Sequence, residues 1–193
     1  MITIVFATNN LNKIKEVQAL LPDNFLIKRL QDIHCLEELP ETQNTIEGNS
    51  AQKAQYVAQK YHVNCFSEDT GLEIEALNGA PGVDSAFYGG DRDADKNMDK
   101  VLLEMKNIKN RAAQFKTVIT LILDGKQHQF TGIFNGSIGL EKKGKYGFGY
   151  DPIFVLPDGR HLAELLLDEK SKISHRAKAT QQLIDFLENT TIR

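Results

Sequence analysis

Cysteine is scarce in this sequence: Cys35 and Cys65 are the only two in 193 residues. They form no C-x-x-C pair, which points away from a disulfide framework and toward a reduced, cytoplasmic setting. A chain of this length buries roughly 70% of its unfolded surface, so its core needs no covalent or metal staple. Positive charge is not in excess: 23 Lys and Arg face 26 Asp and Glu, a net −3. That argues against a nucleic-acid polymer as partner, while a local basic pocket for a small anion stays open. No apolar run approaches the ~20 residues of a membrane span, so no membrane association is expected. The opening Met1-Ile2-Thr3-Ile4-Val5-Phe6-Ala7 lacks the basic flank and apolar length of a signal peptide. Internal repeats, low-complexity tracts, His/Cys zinc spacings and a Gly-x-Ser-x-Gly nucleophile elbow are all missing. Gly139 to Tyr146 nearly fits a P-loop, but Tyr146 stands where a Ser or Thr must hold magnesium, and Gly147 and Gly149 argue against the helix that should follow. These absences leave one enzyme-sized domain over 1–193.

What is present centres on Phe66-Ser67-Glu68-Asp69-Thr70-Gly71-Leu72-Glu73-Ile74-Glu75. Val63 to Phe66 reads as the end of a strand, and Gly71 as the bend of a turn after it. Adjacent residues on extended chain point to opposite faces, so Glu68 and Asp69 cannot both face one side. Turns at strand ends are where open α/β sheets hold ligands. Before this stretch, Ile2 to Ala7 reads as a buried strand, Thr8-Asn9-Asn10 as a turn and N-cap, and Ile14, Val17, Leu20 and Leu21 as a helix face stopped by Pro22. Phe25 to Leu30 is a second strand candidate. Asn44 with Glu47 resembles an N-cap and its reciprocal partner, opening a helix whose face carries Ala51, Ala54, Ala58 and Tyr61. Lys53 lies on that helix and reads as a surface lysine.

Leu72 to Leu77 alternates like a further strand, and Ala94, Met98, Val101, Leu102 and Met105 mark a helix. Ala113 to Leu123 alternates, Asp124-Gly125 is a strong hairpin signal, and Gln127 to Ile138 is the returning strand. The fold class is therefore α/β, a central mixed sheet flanked by helices; the length allows a bilobal domain, with an active-site cleft between the lobes as the expectation. Lys13 and the pair His175-Arg176 fall in the first turns of two helices, where the dipole disfavours cations. Two such helix starts suggest an anion between them. The loop Gly144 to Pro152 alternates glycines and aromatics, which suits close backbone approach and a flat face for a base. Taken singly, these features read as an acidic surface turn, solvated lysines and a flexible loop. Together, the carboxylates Glu41, Glu68 and Asp69 with the cations Lys13, Lys170, His175 and Arg176 describe a phosphate-transfer site using Mg²⁺.

The chain resembles the inosine triphosphate pyrophosphatase family, in its bacterial XTP/dITP diphosphatase branch. The matching segments are Ala7-Thr8-Asn9-Asn10-x-x-Lys13, Glu41-Thr42, Asn49-x-x-x-Lys53-Ala54, Glu68-Asp69-Thr70-Gly71-Leu72, and Ala80-Pro81-Gly82-Val83-x-Ser85-Ala86. They continue through Gly147-Phe148-Gly149-Tyr150-Asp151-Pro152, Ala163-Glu164-Leu165, Glu169-Lys170 and Ser174-His175-Arg176, in order along nearly the whole chain. The resemblance implies Mg²⁺-dependent hydrolysis of deaminated, non-standard purine nucleoside triphosphates (ITP, dITP, XTP) to monophosphate and pyrophosphate, cleansing the nucleotide pool, by a homodimer. It implies Asp69 as proton acceptor and metal ligand, with Glu41 and Glu68 as further ligands. Thr8, Asn9, Asn10, Leu11, Asn12 and Lys13 would bind substrate, as would Thr70, Phe148, Gly149, Tyr150, Asp151, Lys170, His175 and Arg176. Phe87 departs from the pattern, standing where the family usually has arginine. Glu68 replaces a frequent aspartate. A pyrophosphatase for other modified nucleotides and a noncatalytic nucleotide sensor are the competing readings.

Overall fold

The computed structural model describes residues 1–190. Six strands form one mixed sheet in the order β2-β1-β3-β4-β5-β6. β1 (Ile2–Phe6) pairs in parallel with β2 (Phe25–Lys28) and with β3 (Cys65–Ile74), whereas β5 (Lys126–Ile138) and β6 (Phe154–Val155) are antiparallel. β4 (Ala112–Leu123) reaches β5 through Asp124 and Gly125, both at positive φ, 48° and 77°. Those two left-handed residues give the type I′ turn that the Asp-Gly pair predicts. The helices are α1 (Leu11–Gln18), α2 (Ile46–Tyr61), α3 (Ala94–Glu104), the short α4 (Leu167–Lys170) and α5 (His175–Glu188).

The chain divides into two compact units, each with its own core. Among the described residues, the first comprises 1–69, 117–132 and 175–190; the second comprises 70–116 and 133–174. In the first unit, strand alternation sorts side chains between two helical layers. Ile4, Phe6 and Phe66 pack with Ile14 and Val17 of α1 and with Ala179, Leu183 and Ile184 of α5. Val5, Ala7 and Cys65 pack instead with Ala54 and Val57 of α2. Phe6 and Phe66 stack face to face, their ring centroids 4.3 Å apart. α5 lies so close to β5 that a Cβ built on Gly132 would stand 2.0 Å from the His175 carbonyl oxygen. In the second unit, Leu72 and Ile74 of β3 join Met98, Val101 and Met105 of α3, Phe115, Phe154 and Leu162 in a single core.

Two expectations are corrected here. No turn follows Asp69: β3 runs unbroken from Cys65 to Ile74, and Gly71 has no positive φ. The Glu68-Asp69 pair is tolerated in mid-strand because both carboxylates are buried against cations. The N-cap of α2 is Thr45, one residue later than expected, its hydroxyl accepting from Gly48 N at 3.0 Å. The N-cap of α1 is Asn10, whose Oδ1 accepts from Asn12 N and Lys13 N at 3.0 and 3.2 Å.

Candidate active site

β3 alternation decides what each acidic residue meets. Over residues 65–69, even positions face α1 and α5 and odd positions face α2. Glu68 therefore lies under α1 and α5. Its two oxygens accept from Arg176 Nη2 and Nε, both at 2.7 Å, a bidentate pair of the strong kind. Lys13 Nζ stands 3.2 Å from Glu68 Oε1. Arg176 Nη1 also donates to Glu16 of α1. Lys13, Arg176, Glu68 and Glu16 thus meet in one buried charge cluster. Glu68 thereby sets a carboxylate against the cations of both helix starts. Opposed charges hold the Arg176 pKa up even though burial would lower it. Lys13 is held below its ordinary value by burial, which Glu68 only partly offsets.

Asp69 faces the other way, toward α2. Lys53 Nζ donates to Asp69 Oδ1 at 3.0 Å and also to Glu41 Oε1. Glu41 is carried on an irregular segment pinned to α2 by three bonds. Thr42 N donates to Gln52 Oε1 at 2.9 Å, Gln52 returns a bond to the Thr42 hydroxyl at 2.9 Å, and Gln43 N donates to Asn49 Oδ1 at 2.9 Å. The two carboxylates share Lys53, and Lys13 also draws on Asp69 electrostatically. This cluster reaches solvent, since the Glu41 side chain is 30% exposed, whereas that of Glu68 is fully buried. Burial raises the Asp69 pKa against the opposing pull of Lys53. Burial works against the Lys53 charge, but Asp69 and Glu41 outweigh it and raise its pKa.

The second unit holds another set. Asp151 Oδ2 accepts from Lys170 Nζ at 2.6 Å and from Phe148 N at 2.8 Å, and Asp151 and Lys170 are both buried. Lys170 Nζ stands 5.0 Å from the Phe148 ring centroid, within cation–π range. Gly147 must be glycine: its φ is +75°, and a Cβ there would fall 2.1 Å from Asp151 Oδ2. Tyr150 is buried and donates its hydroxyl to Ser85 O at 2.8 Å, so it braces the loop.

Of the expected residues, the structure gathers Lys13, Glu68 and Arg176 in one cluster and Glu41 with Asp69 in another, both in the first unit. Phe148, Asp151 and Lys170 assemble in the second. Asn9, Asn10, Leu11 and Asn12 are exposed around the start of α1, with Thr8 half-buried just before them, and Thr8 Oγ1 accepts from Asn10 N at 3.1 Å. Thr70 follows Asp69 on β3, Gly149 has a positive φ of 64° in the loop, and His175 is the buried first residue of α5. Lys53 and Glu16 are the two residues that sequence reading passed over. The signal for Lys53 was its place on the small-residue face of α2, beside Ala54; for Glu16 it was the i, i+3 spacing from Lys13.

Among the described residues, no three His, Cys, Asp or Glu side chains form a ready-made metal cage. Mg²⁺ needs none, since it takes one or two carboxylates and completes its shell with water and substrate phosphate oxygens. Glu41 and Asp69 fit that demand: both carboxylates already converge on one cationic atom, Lys53 Nζ, near solvent.

The Ham1 family model matches residues 4–186. The chain is 56% identical to the dITP/XTP pyrophosphatase of Flavobacterium johnsoniae, over 97% of this chain and 98% of that one. It is 41% identical to the dITP/XTP pyrophosphatase of Bacillus subtilis, over 95% and 96%. Among solved structures, a HAM1 protein from Coxiella burnetii superimposes with a TM-score of 0.91 at 35% identity, covering 98% of this chain and all of the other. The Staphylococcus aureus Ham1 protein gives 0.88 at 36% identity, over 96% and 98%. A family model spanning almost every described residue, together with relatives matched end to end, makes this chain a member of the Ham1 family.

Proposed function

We propose that this protein is a nucleoside-triphosphate diphosphatase that converts ITP, dITP and XTP to the monophosphate and pyrophosphate. The observation that carries the reading is the pair of oppositely directed carboxylates on β3, one locked to cations inside the fold and one meeting Lys53 together with the solvent-reaching Glu41. Asp69 orients a water and accepts its proton. The water oxygen bonds to the α-phosphorus as the bond from that phosphorus to the bridging oxygen breaks, and the electron pair leaves with pyrophosphate. An ionised aspartate beside a divalent cation is a weak base, so the placing of the water by Asp69 matters more than proton removal. Lys53 holds the attacking geometry and offsets charge, where most of the rate gain of a well-placed water arises.

Glu41 and Asp69 would hold Mg²⁺, which would supply positive charge against the triphosphate oxygens when bound. Glu68 belongs to the support in this reading: it holds Arg176 and, through it, the start of α5 beside Lys13. Thr8 to Lys13, Thr70, Lys170 and His175 contribute to phosphate binding, and Phe148 to Asp151 to the base. A buried donor facing position 6 pairs with the oxo group of hypoxanthine or xanthine and mispairs with the amino group of adenine, a difference worth ~10⁴–10⁵ in kcat/KM. The whole chain serves as one catalytic domain, acting as a cytoplasmic homodimer on a nucleotide, with neither nucleic-acid polymer nor membrane as partner. Among the described residues, no helix is long and apolar enough to cross a membrane.

The test is pyrophosphate release from ITP, XTP, dITP, GTP and ATP, with Mg²⁺ and with EDTA. The expected result is rapid Mg²⁺-dependent release from the first three only. Equal turnover of ATP, or orthophosphate as the product, would overturn the reading.

A further inference from the structure

Beneath the Asp69 cluster lies a buried chain of hydroxyls that plays no part in the chemistry described above. Ser50 of α2, Ser67 of β3 and Thr120 of β4 are all fully buried. Gln129 Nε2 donates to Thr120 Oγ1 at 3.0 Å, and Thr120 Oγ1 donates to Ser50 Oγ at 2.9 Å. Ser50 Oγ stands 3.3 Å from Ser67 Oγ, and Ser67 Oγ donates to the Ser50 carbonyl oxygen. Read in that direction, every hydroxyl donates once and accepts once, so the network is complete.

The network is also one rung of a ladder. Two residues earlier on β3, Cys65 Sγ donates to the Ala54 carbonyl oxygen at 3.3 Å. As β3 advances from 65 to 67, its helix partner retreats from 54 to 50, so α2 runs antiparallel to the strand. Two strand residues advance about 6.6 Å and four helical residues about 6.0 Å, so the steps match. The next residue on the same strand face is Asp69. Helical side chains lean toward the helix N-terminus, so Lys53 reaches back past Ser50 in the direction of Asp69. Apolar contacts between α2 and the sheet hold the helix down but are non-directional and set no register. The hydroxyl bonds are directional, and they lie immediately before the Lys53–Asp69 contact.

We infer that Ser50, Ser67 and Thr120 are positioning residues of the hydrolytic site, fixing the register of α2 on β3 and hence the distance at which Lys53 meets Asp69. The inference rests on the roles given above to Lys53 and Asp69. A shift of order 1 Å at such a contact costs up to ~10²-fold in rate.

The test is a double-mutant cycle on ITP turnover with Ser67→Ala, Lys53→Met and the pair, alongside thermal melts. Ser67→Ala should lower kcat about 10-fold, by a partial register shift, with KM little changed. In the Lys53→Met background it should lower kcat no further, because its effect passes through Lys53. A crystal structure of Ser67→Ala should show the Lys53 Nζ to Asp69 Oδ1 separation lengthened beyond its present 3.0 Å. Thr120→Val, which keeps shape and removes one link, repeats the cycle if Ser67→Ala does not fold. An equal fall in both backgrounds, or wild-type kcat in Ser67→Ala while Lys53→Met is impaired, overturns the inference alone. Wild-type kcat in Lys53→Met overturns the reading of Lys53 and the inference with it.

Discussion

Replacing Glu68 by glutamine is the sharpest probe of the buried charge cluster. The side chain keeps its shape, and its amide oxygen can still accept one bond from Arg176. What it loses is the charge that balances Arg176 and Lys13 where the Glu68 side chain has no exposure. Removing one partner of a buried ion pair costs about 3–5 kcal/mol. Two features place this case near the lower end. Arg176 retains Glu16 as a second carboxylate. Lys13, already held down by burial, loses the pull of Glu68 and can shed its proton more readily. A loss of about 3 kcal/mol is a large share of a total stability of about 5–15 kcal/mol. For a chain of this size it corresponds to a melting temperature lower by about 6–12 °C. The assay is thermal unfolding followed by far-UV circular dichroism at pH 7, at low and at high salt. The loss should persist at high salt, because buried pairs are weakly screened. Adding Lys13→Met to Glu68→Gln should recover part of it by removing the stranded cation. A Glu68→Gln protein melting within about 2 °C of the parent would show that the cluster contributes no more than a surface pair, and the reasoning would fail.

Three further outcomes follow from other parts of the molecule. Asp69→Asn should lower ITP turnover by at least about 10²-fold while its melting temperature stays near the parent's, since the replacement relieves a carboxylate whose ionised form burial disfavours; steady-state kinetics beside a melt decide this. Thr45→Ala removes the side-chain cap of α2 and should cost about 1 kcal/mol, read as a small shift in the urea midpoint at unchanged slope. Native protein at pH 8 should react negligibly with an aromatic disulfide reagent. Burial pushes the Cys65 thiol up to about 12 and raises Cys35 as well, leaving a thiolate fraction at Cys65 of order 10⁻⁴; unfolding in guanidinium should release both thiols.

Much of the scaffold was legible because periodicity reports burial. The alternation of Ala113 to Leu123, the Asp124-Gly125 turn and the amphipathic Ala94 helix all stand close to where the pattern puts them. The same period-2 argument that set Glu68 and Asp69 on opposite faces holds in the structure. The turn placed after them was misread, because Gly71 beside two charges looks like loop punctuation, and only tertiary partners make such a stretch viable inside a sheet. Those partners, Lys53, Arg176 and Glu16, come from three helices far apart in sequence, and a small-residue helix face hints that Lys53 is buried without saying which carboxylate it meets. The cations at the two helix starts were visible, but their pairing with Glu68 was not, since a contact across 108 residues leaves no trace in spacing. The Thr45 cap was missed by one residue, the ordinary uncertainty of a helix boundary.

The tight seat of α5 on β5 at Gly132 leaves room for a hydrogen atom and nothing larger. The helix turn pressed against that spot begins with His175 and Arg176. Any methyl introduced there would act as a wedge, levering the guanidinium away from the strand that carries Glu68. A residue with no side chain thereby governs how deeply Arg176, the most buried arginine among the described residues, can sit.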